Sequence, residues 1–514
     1  MRAAVYNQHW STLGGGEQLA GGIAAALARH HDVELLVNES FDAVVASERL
    51  GFDLTPFPQF ELAPGTREFL AQSARYDLLV NTSFANNYAS RATRSLYYAH
   101  FPVPMGRASR LEVEKWRLFE LNPLHSAIEY HHGFWIPEFP GYGAWTQGDA
   151  ALDLVLPRGV TLPFGLRLSA QAWPDGRQPH ARVEIDGRVV FDGVVAGKDG
   201  VRVRETVTGA GVDWPLRVHV TSDTFVPRLA SGGDDDRTLG VVVSHAFLGR
   251  RLPTAHLGDV DGLRVFGPRG EHLEFLDTYD VVASNSPYTQ RWVRELWGRE
   301  SVVLPPPVQL RRPGAKRRVI LSVGRFFPES GGHSKNQLRL VEAFRLACEQ
   351  GLHDWELHLV GGCANEYRGY VETVRKAAVG LPVFFHVNAR GQDLDRLYEG
   401  ASLFWHAAGF DQDEHEHPDR FEHFGIGVVE AMSAGAVPVV YAKGGPADIV
   451  KESGCGFEYS TLDELASRTV ALVGTPGRVE ELSSLAVTAS AEYAFDRFAE
   501  HLDAVIDDME PAKS

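Results

Sequence analysis

The sequence predicts an α/β protein built from two doubly wound units around a crevice, with an antiparallel β-sandwich set into the first. Three observations carry this. Short β-branched or aromatic runs alternate with helical stretches toward both ends of the chain. Between them the pattern changes to alternating strands broken by Gly, Pro and Asp turns. At 514 residues, 44% of them apolar, the chain exceeds what one hydrophobic core usually holds.

The runs "RAAVYN", "DVELLV", "YDLLV" and "SLYYAH" predict parallel strands in the first hundred residues. Strand "AAVYN" leads through "QHWSTLGGGE" into the alanine-rich "QLAGGIAAALARH". Gly14, Gly15 and Gly16 are thereby expected at a helix N-terminus beyond a strand's carboxyl end, where parallel sheets bind ligands. From about residue 134, "ALDLVLPRG", "LRLSAQAW", "ARVEIDGRVVFDG", "VRVRETVTG", "PLRVHVTSDTFV" and "LGVVVSHAFL" alternate with turn residues, and Asp186-Gly187 marks a hairpin. The sandwich is expected to end near 252, with most of Trp145, Trp173 and Trp214 in its core.

"YDVVASNS" then resumes the parallel pattern, so 1–133 and 253–312 are expected to form one domain and 134–252 an insertion. After the linker "LPPPVQLRRPGAKRR", a second unit over 313–490 would hold strands "VILSV", "ELHLVG", "SLFWH" and "AVPVVYA". Its helices are expected at about 335 to 350, 364 to 378 and 426 to 434. The final segment, 491–514, carries an amphipathic helix with Phe495, Phe498, Leu502, Val505 and Ile506 on one face, expected to pack back on the first domain.

A net charge of −17 argues against a nucleic-acid binder and requires any bound anion to meet a local basic site. Cys348, Cys363 and Cys455 form neither a paired framework nor a CxxC. The opening "MRAAVYNQHW" lacks a basic-then-apolar leader, so a cytoplasmic location is the expectation. No apolar run approaches the ~20 residues of a membrane span, which leaves peripheral contact. The basic run "SRATRSLYYAHFPVPMGRASRLEVEKWR" is a candidate surface for anionic lipid headgroups.

The stretch "FEHFGIGVVEAMSAG" spaces Glu422 and Glu430 eight positions apart with two glycines between. One helix could not aim both at one point, because eight residues turn about 800° and advance roughly 12 Å. Glu422 is therefore expected in a turn before Gly425, and Glu430 one turn inside a helix that starts near Ile426 and stops at Gly435. Val428 and Met432 share the helix's apolar face, which leaves Glu430 toward the crevice. Unpaired backbone N–H groups between the carboxylates make a phosphate site, and a diphosphate flanked by hydroxyl-rich groups describes a sugar nucleotide.

"EHFGIGVVEAMSAGAVPVV…GGPADIV" resembles the E-x7-E signature of the retaining glycosyltransferases of family 4, which have the GT-B fold of two Rossmann-like domains around a cleft. "ILSVGRFFPESGGHSKNQLRLVEAF" is similar to the same family's diphosphate-binding segment, and "GGGEQLA" and "SLYYAHFP" match more loosely. The resemblance implies that Arg325 and Lys335 clamp the diphosphate, Glu430 holds the ribose, Glu422 contacts the donor sugar, and Gly425 and Ile426 offer backbone N–H groups. It places His100 beside the donor sugar and Gly15 and Gly16 on the opposite wall.

The implied activity is retaining, metal-independent transfer of a hexose from a GDP- or UDP-linked sugar to a glycan, lipid-linked or small acceptor, with no cofactor. A GT-B epimerase or phosphorylase, or a non-catalytic sugar-binding protein, are the alternative readings. His415 and His417 among Asp411, Asp413, Glu414 and Glu416 are read as a solvated loop, and no metal ligand is assigned.

Overall fold

The computed structural model describes residues 1–509 apart from 63–65, 87, 105–127, 136–143, 157, 171–172, 174–176, 198–199, 212–213, 232–235, 249–272, 329–333, 365–366 and 390. Residues 105–117 of the basic run proposed for lipid contact, and the boundary expected near 252, lie outside the described residues.

The first unit is a seven-stranded parallel sheet in the order Val302–Val303, Val281–Ser284, Arg94–Ala99, Leu78–Asn81, Arg2–Tyr6, Asp32–Val37, Gln59–Glu61. Its central strand is apolar almost throughout because helices cover both faces, and Ala3, Ala4, Val5 and Tyr6 are buried. The second unit is a six-stranded parallel sheet: Val383–Val387, Glu356–Gly361, Arg317–Val323, Ala401–His406, Val437–Tyr441, Phe457–Tyr459. The edge strands Gln59–Glu61, Val302–Val303, Val383–Val387 and Phe457–Tyr459 were not anticipated. They are short and only partly buried, so no continuous apolar run announces them.

Between the adjacent strands Arg94–Ala99 and Val281–Ser284, the described residues make eight antiparallel strands from Ile128 to Leu248. The first of them begins at Ile128, ahead of the expected 134. Strand Ala144–Leu154 serves two arrays: Ala144 and Trp145 pair with Val243 and Val242, whereas Asp149 to Leu154 pair with Thr221 to Leu216. Gly148, at φ 95°, lies at the change of partner. Leu152, Phe164, Leu168, Val183, Val218 and Val243 share one buried cluster beneath both arrays.

The tryptophans divide differently from expectation. Trp145 and Trp173 pack half-buried against Phe225, but Trp214 is 69% exposed beside Gly211, because its strand begins only at Leu216.

Helices Gln337–Glu349, Arg368–Ala377 and Ile426–Ser433 stand where the periodicity places them. The last helix, Phe495–Asp507, returns to the first unit. There Phe498, Leu502 and Ile506 are buried with Leu19, Ile23 and Leu27 of helix Gly15–Leu27, while Phe495 and Val505 pack partly buried at the margin. Among the described residues no helix is long and apolar enough to cross a membrane.

Candidate active site

A cavity of about 340 Å³ opens between the two sheets. Gly15, Leu19, Tyr98, His100 and Asn285 line it from the first unit. Lys335, Tyr398, Glu422, Gly425, Ile426 and Glu430 line it from the second.

The first wall is largely uncharged. Glu17 folds back beneath the glycine loop, where its carboxylate accepts from the Gly14 N–H and the Thr12 hydroxyl, both at 2.6 Å. That closes the loop and starts helix Gly15–Leu27 at the cavity. A Cβ on Gly15 would stand 3.3 Å from Ile426 Cδ1 across the cleft, and one on Gly16 would stand 3.6 Å from His100 Cε1. Gly16 itself does not line the cavity. The His100 Nε2–H donates to the Thr82 carbonyl at 2.7 Å, and burial lowers the ring's pKa. The ring is thus neutral at pH 7, with Nδ1 left as an acceptor.

The second wall is charged and internally paired. Gly425 adopts φ 108° just before helix Ile426–Ser433, whose N-terminus has no side-chain cap, so its first amides remain as donors. The preceding turn rests on Gly444, where a Cβ would lie 2.6 Å from the Glu422 carbonyl oxygen, and on Gly445. The Gly445 N–H donates to the Glu422 carbonyl at 2.8 Å, and a Cβ there would lie 2.3 Å from the His423 carbonyl oxygen.

Lys335 passes directly over Gly324, where a Cβ would lie 2.5 Å from its Cγ. Its ammonium pairs with the Glu422 carboxylate, and His406 Nε2 lies 3.3 Å from the same oxygen. The flanking residues fix its backbone: Asn336, in the left-handed region at φ 54°, donates to the Ala407 carbonyl at 2.9 Å, and the Ser334 hydroxyl donates to Phe327 at 3.1 Å.

Glu430 accepts from Arg311 Nη2 at 2.6 Å and from the Tyr398 hydroxyl at 2.8 Å. The Arg311 guanidinium stacks 4.5 Å above the Tyr398 ring and also pairs with Asp395. His423 lies between the units, its ring 4.1 Å from that of Phe101 and nearly parallel to it. Loss of hydration there pushes its pKa down to about 4.

Of the sequence-predicted residues, the structure brings together Gly15, His100, Lys335, Glu422, Gly425, Ile426 and Glu430. It does not bring in Arg325, which is exposed beyond strand Arg317–Val323 with its guanidinium 5.5 Å from the Phe327 ring centre. Reading by motif missed Arg311, Tyr398, His406 and His423. The basic string "QLRRPGAKRR" reads as linker, and nothing in it says which arginine turns toward Glu430. In the acidic loop, Asp413 accepts from the His415 and Glu416 amides at 2.8 and 3.4 Å, and Glu414 pairs with Arg291. Among the described residues no His/Asp metal cluster forms there.

The architecture is shared with solved structures. A complex of Anabaena Alr3699/HepE with UDP superposes with a TM-score of 0.52 at 12% identity, covering 99% of this chain and 100% of that one. A sucrose-phosphate synthase from Thermosynechococcus elongatus gives a TM-score of 0.50 at 13% identity, over 99% of this chain and 98% of that one. The fold is GT-B. The second unit carries the sequence signal, since residues 310–468 match the family model described as glycosyl transferases group 1.

A protein of Dictyostelium discoideum, named GDP-Man:Man(3)GlcNAc(2)-PP-Dol alpha-1,2-mannosyltransferase, is 29% identical over 256 residues, 44% of this chain and 47% of that protein. One of the same name from Xenopus laevis is 30% identical over 210 residues, 37% of this chain and 40% of that one. The chain thus spans less than half the length of these curated relatives.

Proposed function

We propose that this GT-B protein is a retaining, metal-independent hexosyltransferase that uses a nucleotide diphosphate sugar, with GDP-mannose the favoured donor and a lipid-linked glycan the favoured acceptor. One observation carries the reading. An uncapped helix N-terminus at Gly425 and Ile426 stands between two carboxylates, each already paired with a cation, inside the interdomain cavity. Backbone N–H groups and Lys335 suit a diphosphate, and the paired Glu430 suits ribose hydroxyls. The relatives' printed names supply the preference for mannose and for a polyprenyl-linked glycan.

In the reaction the bond from the sugar's anomeric carbon to the phosphate oxygen breaks, and the acceptor oxygen bonds to that carbon on the same face. The acceptor's proton passes to a phosphate oxygen of the departing nucleotide, so no protein nucleophile is needed. Lys335 and the helix N-terminus meet the negative charge that grows on the leaving group. Arg325 joins them when its side chain turns from Phe327 toward the diphosphate. Glu422 orients the donor sugar, held in place by Lys335 and His406. His100 faces the sugar as a neutral ring, and Gly15 and Gly16 let donor and acceptor approach the first wall. The antiparallel strands between Ile128 and Leu248 act on the acceptor or on assembly, and a lipid-linked acceptor brings the protein to a membrane surface peripherally.

Thermal shifts with GDP-mannose, UDP-glucose, GDP and UDP test the donor assignment, because a ligand that binds only the folded state raises its stability by mass action. A rise with GDP-mannose and GDP is expected. No response to any nucleotide would remove the basis of the proposal, and a response confined to uridine nucleotides would replace the donor.

A further inference from the structure

Away from the cleft, His132, Asp149 and His219 gather on one face of the antiparallel region, and we propose that they form a zinc(II) site that clips three neighbouring strands together. His132 and His219 come from strands on either side of Ala144–Leu154, and each stands opposite Ala151 in the pairing register. Asp149 lies two residues before Ala151 on the central strand and so shares its face. Ala151 is fully buried, and its methyl group leaves room for two imidazoles to converge from both sides. His219 Nε2 stands 2.5 Å and His132 Nε2 3.5 Å from the same Asp149 oxygen, and one ligand atom from each residue lies within 4.8 Å of the others.

The backbone is shaped for this meeting. Strand Ile128–Phe134 shifts register on both sides of His132, which re-aims that side chain relative to a regular strand. Gly133, at φ 75°, sits so close to the central strand that a Cβ would lie 1.8 Å from the Asp149 carbonyl oxygen. Gly148, at φ 95°, precedes Asp149 directly. A glycine kink therefore adjoins His132 on one strand and Asp149 on the next.

Two imidazole nitrogens and one carboxylate oxygen are a zinc donor set with a fourth position left for water. At Zn–N and Zn–O lengths near 2.0–2.2 Å, tetrahedral ligand atoms stand roughly 3.3 Å apart, within the spread observed. Asp153, the next acid on this face, is taken by Arg217, whose Nε lies 3.0 Å from its carboxylate, so it is not a ligand. The site lies outside the residues that line the cleft, and the inference does not depend on the transferase reading.

Isothermal titration of the chelator-stripped full-length chain with ZnCl₂ tests it. Saturable binding of one equivalent in the low micromolar range is expected, with a rise in melting temperature. His132→Ala and His219→Ala should each weaken binding at least about tenfold and abolish the thermal shift. His180→Ala should change neither, because His180 pairs with Asp192 away from the cluster. These side chains are partly exposed, so the variants should fold, as circular dichroism would verify. Absence of saturable binding in the intact chain, or equal binding in the His132 and His219 variants, would overturn the site.

Discussion

The two walls of the cleft are built from similar parallel sheets, yet they are chemically unlike. The first-unit wall presents Gly15, Leu19, Asn285 and a neutral His100. The second-unit wall presents Lys335, Glu422 and Glu430, each held by an oppositely charged neighbour. The difference supports the proposed placement of a substrate's charged end on the second wall. Among the described residues lining the cavity, only the second wall sets a side-chain cation, Lys335, beside a helix N-terminus in advance, so little reorganisation accompanies the arrival of an anion there. The first wall can meet a sugar or an acceptor without competing for the phosphate.

If that contrast is right, Lys335→Ala is the most damaging change. Removing one preorganised charge from a leaving group costs on the order of 3 kcal/mol, about a hundredfold in turnover, with the fold retained. Steady-state kinetics beside a thermal melt check it, and near-normal turnover would mean that the paired lysine is structural.

A second break targets the ribose end. Glu430→Ala and Arg311→Ala should each weaken GDP binding about tenfold or more, with a smaller change in rate once donor is saturating. Arg311→Ala should also lower the melting temperature, because it leaves the Glu430 charge without its cation in a largely buried site. Nucleotide titration separates the two ends of the wall. Equal loss of affinity in Glu422→Ala would dissolve the distinction.

Arg325→Ala sharpens the comparison within the wall. Its exposed position predicts a fall in turnover smaller than that of Lys335→Ala, about tenfold. Parallel kinetics decide it, and a loss equal to that of Lys335→Ala would show that Arg325 belongs to the clamp on the same footing.

The smallest expected effect concerns the stack that joins the walls. The His423 pKa is depressed in the folded state to about 4 from an ordinary 6.5. Between those values the unfolded chain binds the proton and the folded chain does not, so stability falls as pH drops through this window. His423→Phe should flatten that part of the pH–stability curve, as melts across the window would reveal. An unchanged slope would assign the acid lability to other groups.

Much of the fold was legible because buried parallel strands are written as continuous apolar runs, as in "AAVYN" and "VILSV". The glycines at 14–16 and at 425 were legible because a helix beginning at a ligand site needs a small, permissive residue there. Arg311 was not, because it meets Glu430 across 119 residues and no local pattern records such a pairing. Arg325 shows the converse. The family resemblance implied a place in the clamp, but a sequence motif says nothing about rotamer, and its side chain rests on Phe327. Trp214 misled for a related reason, since an aromatic residue near a strand reads as core unless the turn that exposes it is recognised.

The central claim is that fixed protein charges, and not a metal, stabilise the departing nucleotide while the sugar keeps its configuration. The most direct test follows transfer from GDP-mannose to a lipid-linked glycan acceptor in excess EDTA, with NMR of the first product formed. Undiminished turnover and an α-linked product from the α-linked donor are expected. Loss of turnover restored by Mg²⁺ or Mn²⁺, or a β-linked product, would contradict it.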